Sequence, residues 1–167
     1  MIGAGEPGVA EVMGFDNGAE QAGLQGLKED ATIFVDIKMV EAGVLKRGHE
    51  SPIQPIIGQG DDIAQKLGVT RTSAGIMALQ ERLDGSIVVI GNAPSALLTL
   101  CQLIEEEKAL PRMVIGVPVG FVNAAESKER LRGLPVPSIT TEGTRGGTPI
   151  AVAAINEIIN TYARAKI

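Results

Sequence analysis

The sequence predicts a single α/β domain built on a mainly parallel sheet with flanking helices. Three observations carry that expectation. Short apolar runs rich in β-branched residues alternate with longer segments of helical period along the chain. The strongest run, Ser86–Ile90 (SIVVI), is apolar on both faces, as a strand covered on both sides must be. The turns after the later runs are rich in Gly and Pro and lead straight into helices. A length of 167 residues suits one domain, here residues 1–167, and no segment reads as a linker.

Taken in order, Asn17–Lys28 is a plausible helix. Ala31–Asp36 (ATIFVD) is a strand that ends on an acid, and Pro55–Gly58 (PIIG) is a shorter strand. Asp61–Leu67 opens with two acids, which suit the positive end of a helix dipole. Thr72–Leu83 is helical, with Ile76, Leu79 and Leu83 at helical spacing. Ser86–Ile90 is followed by the helix Pro94–Lys108, which has Pro in its first turn and Leu97, Leu98, Cys101 and Ile104 on one side. Met113–Gly116 (MVIG) is a strand, and Asn123–Arg132 is a helix that opens on a capping residue. Pro137–Thr141 (PSITT) is the last strand. Thr148–Ala165 is the last helix, with Ile155, Ile158, Ile159 and Tyr162 on one stripe.

Composition removes several function classes. Hydrophobic residues at 44% and charged residues at 21% argue against disorder and against a coiled coil. Aromatics at 2% and a net charge of −5 argue against nucleic acid as a partner. One Cys and one His leave no disulfide framework and no Cys/His zinc site within the chain, so no metal is expected. No apolar run is long enough for a membrane span, and the first residues lack the pattern of a signal peptide. The expected location is therefore cytoplasmic.

Three turns concentrate the functional signal: Gly91-Asn92-Ala93-Pro94-Ser95, Gly116-Val117-Pro118-Val119-Gly120, and Glu142 to Pro149 (EGTRGGTP). In α/β sheets ligands bind beyond the C-terminal strand ends. Backbone N–H groups at helix starts are free to bind anions, so three such turns suit a ligand with several carboxylates or phosphates. Tight turns also need Gly and Pro for purely structural reasons. Arg71 and Arg145 lie beside these helix starts as carboxylate clamps, unless they are simply exposed loop arginines.

Other features read as structural. Gly3-Ala4-Gly5-Glu6-Pro7-Gly8 matches G-x-G-x-x-G but has no room for the strand that a dinucleotide site requires. Gly143–Thr148 lacks the Lys of a P-loop. His49 sits in a polar stretch and reads as a solvated loop histidine. Cys101 reads as a buried thiol in an amphipathic helix. The charge runs Glu105–Lys108 and Glu126–Arg132 read as solvated helix faces.

Gly91-Asn92-Ala93-Pro94-Ser95-Ala96-Leu97 resembles the G-N-A-P-[ST]-A-L segment of the precorrin-8X methylmutase family. The segment from Gly116 to Lys128 (GVPVGFVNAAESK) resembles that family's G-x-P-V-G-F-V-x-A-A-E-S-K segment. Thr70-Arg71-Thr72, Asp36 with Met39, and Arg145-Gly146-Gly147 add shorter matches in the same order. The resemblance covers most of the chain from about Asp36 onward. It implies a Rossmann-like fold and a homodimer. It also implies an isomerase of cobalamin biosynthesis, which moves a methyl group between adjacent ring carbons of precorrin-8X to give hydrogenobyrinic acid, or acts on the cobalt-containing equivalent. No cofactor is implied. The implied partner is a small-molecule corrinoid or tetrapyrrole polycarboxylate. It would be held by Arg71, Thr72, Asn92, Ala93, Pro94, Pro118, Gly120, Arg145, Gly146 and Gly147. The family's catalytic histidine position falls on Gly3, which leaves three readings open. They are a chain that begins short of its relatives, an enzyme that uses another donor such as Glu6, His49 or water, and a relative that binds a corrinoid without isomerising it.

Overall fold

The computed structural model describes residues 13–165. Its centre is a six-stranded sheet. The strands are β1 (Met13–Asp16), β2 (Ile33–Val35), β3 (Ile53–Pro55), β4 (Ile87–Ile90), β5 (Met113–Gly116) and β6 (Ser138–Thr141). They lie in the order β1-β6-β5-β4-β2-β3. All neighbouring pairs are parallel except β1 with β6, which is antiparallel. The helices are α1 (Ala19–Lys28), α2 (Lys38–Gly43), α3 (Asp61–Leu67), α4 (Arg71–Leu79), α5 (Pro94–Glu105), α6 (Ala124–Arg132) and α7 (Thr148–Ala165).

The central strands are short and apolar because both of their faces are covered. Ile33, Val35, Ile87, Val89, Met113 and Ile115 point to one core, which they share with Ile155, Ile158 and Ile159 of α7. Phe34, Val88, Ile90 and Val114 point to the other, shared with Leu79 of α4, Leu97 and Leu100 of α5 and Leu131 of α6. This period-two division between two cores produces three layers, helices on sheet on helices. Each fully buried Ile or Leu contributes about 1.5–3 kcal/mol relative to exposure.

Several expected boundaries move. The second strand lies at Ile53–Pro55, not Pro55–Gly58, and Ile56 continues from it into the core. The Thr72–Leu83 helix is α-helical only to Leu79. At Gln80, φ is 39°, and Gln80–Leu83 tightens to a 3-10 turn that still buries Leu83. Helix α5 stops at Glu105, not Lys108, and it buries Leu100 more deeply than Leu98. Asn123 stands before α6 in the left-handed region and makes no side-chain cap bond. Strand β1 and helix α2 were not anticipated.

The direction of winding reverses between β2 and β4. From β2 the chain moves outward to β3 through α2, on the α7 side of the sheet. From β4 it moves the other way to β5 and β6 through α5 and α6, on the opposite side. A crevice therefore opens beyond the C-terminal ends of β2 and β4, the place where such sheets bind ligands.

Candidate active site

Asp36 follows β2 directly and is fully buried at that reversal. Its Oδ2 accepts the N–H groups of Asn92 (2.9 Å) and Ala93 (3.0 Å), and its Oδ1 accepts that of Gly91 (3.2 Å). Burial pushes the carboxyl above its ordinary pKa, while these three N–H bonds pull the other way. The first turn is thus an anion site whose anion is already part of the chain. This corrects the expectation that its N–H groups are free: those of Gly91, Asn92 and Ala93 are taken. Asn92 is exposed, Ala93 is buried, and Pro94 takes the first helical position of α5.

The other two turns are laid one on the other. Gly120 N–H donates to the Thr144 carbonyl (3.1 Å), and Gly147 N–H donates to that of Val117 (2.7 Å). A Cβ on Gly146 would fall well inside contact with the Val117 and Pro118 carbonyl oxygens, so only Gly allows this stacking. A Cβ on Gly91 would crowd the Ala151 side chain and come within 3.2 Å of Thr148 Cα, so the first turn lies against the start of α7. Pro118 is buried between these segments, and Arg145 is exposed.

Helix α4 joins the same edge. Thr70 caps it by accepting the Ser73 N–H (3.2 Å), and its hydroxyl also meets that of Ser95 at the start of α5 (2.8 Å). Ser73 Oγ meets Thr99 Oγ1 at 2.6 Å, so hydroxyl contacts tie the two helices side by side. Thr72 is buried beside them. Arg71 is exposed and holds Asp61 through two bonds, Nε–Oδ1 at 3.0 Å and Nη2–Oδ2 at 3.1 Å. Solvent screens an exposed pair of this kind, so it contributes little and a ligand carboxylate can compete for the guanidinium.

These contacts bring Arg71, Thr72, Asn92, Ala93, Pro94, Pro118, Gly120, Arg145, Gly146 and Gly147 to one edge of the sheet. Exposed apolar side chains accompany them: Met39 just past β2, and Val119, Phe121 and Val122 on the loop after β5. Phe121 is 96% exposed. Gly3, with the rest of the Gly3–Gly8 motif and Glu6, lies outside the described residues.

Two expectations about charged groups are corrected. His49 is buried, not solvated. Ser51 N–H donates to its Nδ1 (3.1 Å), so the ring proton is on Nε2, which donates to the Leu45 carbonyl (2.6 Å). It lies between α2 and β3, and neighbouring Gly48 abuts Ala163 at the far end of α7. That is the N-terminal end of the parallel strands, opposite the three turns, so His49 does not serve this edge. Lys128 lies within the run read as a solvated face, yet it is fully buried. Cys101 is buried, as expected, and burial pushes its thiol up to about 12.

A groove of about 420 Å³ runs between α1 and α7, lined by Gln21, Leu24, Gln25, Lys28, Tyr162 and Ala165. It also lies toward the N-terminal ends of the strands, away from the three turns. Among the described residues no helix is long and apolar enough to cross a membrane.

Known proteins resemble this chain over most of its length. A family model described as precorrin-8X methylmutase matches residues 1–161. The cobalt-precorrin-8 methylmutase of Methanocaldococcus jannaschii is 42% identical over 161 residues, which is 95% of this chain and 74% of that protein. The precorrin-8X methylmutase of Pseudomonas aeruginosa is 39% identical over 158 residues, covering 90% of this chain and 75% of that one. The crystal structure of precorrin-8X methylmutase from Thermus thermophilus superposes with a TM-score of 0.89 at 33% identity, covering 99% of this chain and 82% of that one.

Proposed function

The chain belongs to the precorrin-8X methylmutase family, and from that membership we propose that it is a corrin-ring isomerase. The reaction breaks one carbon–carbon bond to a methyl group and forms another at an adjacent ring carbon. It turns precorrin-8X into hydrogenobyrinic acid, or the cobalt-containing substrate into its equivalent. Substrate and product are isomers, so no oxidant or reductant is needed.

The observation that carries this reading is the composition of the edge beyond β4, β5 and β6. Cationic and turn groups stand beside exposed apolar side chains along it. A corrin ring has apolar faces and a rim of acetate and propionate groups. Met39, Val119, Phe121 and Val122 offer the apolar surface, while Arg71 and Arg145 offer donors to the rim. Thr72 and Asn92 contribute side-chain polar groups. Pro94, Pro118, Gly120, Gly146 and Gly147 set the shape of the backbone against which the ring rests. Ala93 acts through shape, because Asp36 takes its N–H.

The net charge of −5 makes the attraction local. Two arginines on one edge focus it there, whereas the molecule as a whole repels a polyanion. Migration needs the ring held in one orientation, and these groups supply that positioning. His49 is not the proton donor, since both its ring nitrogens are engaged at the other end of the sheet. Assembly as a homodimer completes the proposal, on the strength of the family resemblance.

Absorbance titration with hydrogenobyrinic acid tests the binding half of this reading. A saturable shift near one ligand per chain is expected. No shift, under conditions where a family relative gives one, would remove the substrate class.

A further inference from the structure

Lys128 is the buried charged group that the substrate reading leaves unused. It lies on α6 and is 0% exposed. Its Nζ donates to Thr141 Oγ1 at the end of β6 (3.1 Å) and to the backbone carbonyl of Arg145 (2.5 Å). Thr141 Oγ1 donates to the same carbonyl (2.6 Å). Two side-chain donors thus converge on one oxygen in the middle of the last turn. Among the described residues no carboxylate forms an ion pair with Lys128. The nearby charge that does affect it is Arg132, which repels it.

A lone buried ammonium is a poor way to stabilise a fold, because an apolar side chain of similar volume does as well or better. Its presence needs another reason, and its two acceptors indicate one. The turn carrying Arg145 is also tied through backbone bonds to Val117 and Gly120, on the neighbouring turn. Lys128 and Thr141 add anchors from the rigid sheet and helix layers. A side chain fixed by such supporting bonds presents its charge in one place.

We infer that Lys128 is a positioning residue of the substrate edge, fastening the Arg145 carbonyl so that Arg145, Gly146 and Gly147 meet the substrate's carboxylates in a fixed geometry. The inference rests on the proposed polycarboxylate substrate for its functional half. Its structural half, the anchoring of the turn, stands independently.

The test uses the full chain and K128M, which keeps the length of the side chain but removes its donors. Hydrogen exchange at residues 143–147 reads the anchoring, and titration with hydrogenobyrinic acid reads the function. K128M is expected to speed exchange at those amides, to weaken binding about tenfold and to melt no lower than the parent. K128R, which keeps a cationic donor, should recover binding to within about threefold of the parent. If the parent binds and K128M binds equally well, the inference is overturned. If the parent does not bind, the substrate reading fails, and exchange alone decides the anchoring: unchanged protection at 143–147 overturns it. If K128M does not fold, T141V carries the test, because it removes the second donor and leaves Lys128 in place. Unaltered exchange and binding in T141V would overturn the inference as well.

Discussion

Asp36→Ala is the perturbation that reaches furthest into this site. The carboxylate accepts three backbone N–H groups at 2.9–3.2 Å and joins the end of β2 to the turn after β4. Truncation leaves all three donors without their acceptor. Asn92 is exposed and can turn to water, but Gly91 and Ala93 are buried. Two stranded buried donors cost about 2–6 kcal/mol at about 1–3 kcal/mol each. Burial raises the pKa of Asp36, so its removal also relieves a desolvated charge, and the net loss should fall near 2–4 kcal/mol. For a domain of this size that lowers Tm by roughly 5–15 °C. Calorimetry at neutral pH measures it directly. Asp36→Asn keeps the shape and one acceptor oxygen, so it should fall between Asp36→Ala and the parent. Hydrogenobyrinic acid should bind more weakly to both, since the turn at Asn92 is no longer held. A Tm for Asp36→Ala within about 1 °C of the parent would refute the reasoning, because the turn would then be held by something else.

Three further outcomes are expected. Arg71→Ala should leave stability nearly unchanged, since the Asp61 pair is exposed, yet weaken binding of hydrogenobyrinic acid roughly ten- to a hundredfold. Equal affinity in a calorimetric titration would remove Arg71 from the site. Gly146→Ala should both lower Tm and weaken binding, because its Cβ would push the last turn off the Val117 carbonyl; a variant with parental Tm and affinity would show that the two turns need not stack. Burial pushes the Lys128 pKa from 10.5 down to about 8, so between those values the unfolded chain holds more protons than the native one. Stability should therefore rise with pH across that window in the parent relative to K128M. Urea unfolding at a series of pH values reads the difference, and a flat or falling difference contradicts the burial of a charged lysine.

What the sequence made legible followed local rules. Met113–Gly116, Asp61–Leu67 and Thr148–Ala165 have the bounds expected of them. Each has an apolar run, an acidic first turn or a long apolar stripe to mark it. Helix α2 spans only six residues, too few for a periodic pattern, and β1 contains Gly14 and a single alternation. Ile53–Pro55 is displaced from its expected place because Pro52 and Pro55 bracket it and hide the run.

The site was legible as a set of turns but not in its wiring. Asp36 reaches the Gly91 turn because β2 and β4 are neighbours, although a full strand and three helices separate them along the chain. Lys128 sits in a run of charges whose pattern reads as solvated, yet it is buried and its ammonium meets Thr141 and Arg145, which lie beyond its own helix. His49 is buried beside Gly48, whose backbone lies against Ala163 of α7, more than a hundred residues away in sequence. Pairings of this range depend on topology, which local pattern does not encode.

Turnover is the most direct test of the central claim. Purified protein would be incubated with precorrin-8X, and separately with its cobalt-containing form, and the corrin product would be followed by absorbance and chromatography. Conversion of one of the two without added oxidant, reductant or cofactor is expected. Tight binding of hydrogenobyrinic acid with no conversion of either substrate, while a family relative converts them in parallel, would contradict the isomerase and leave only a corrinoid-binding protein.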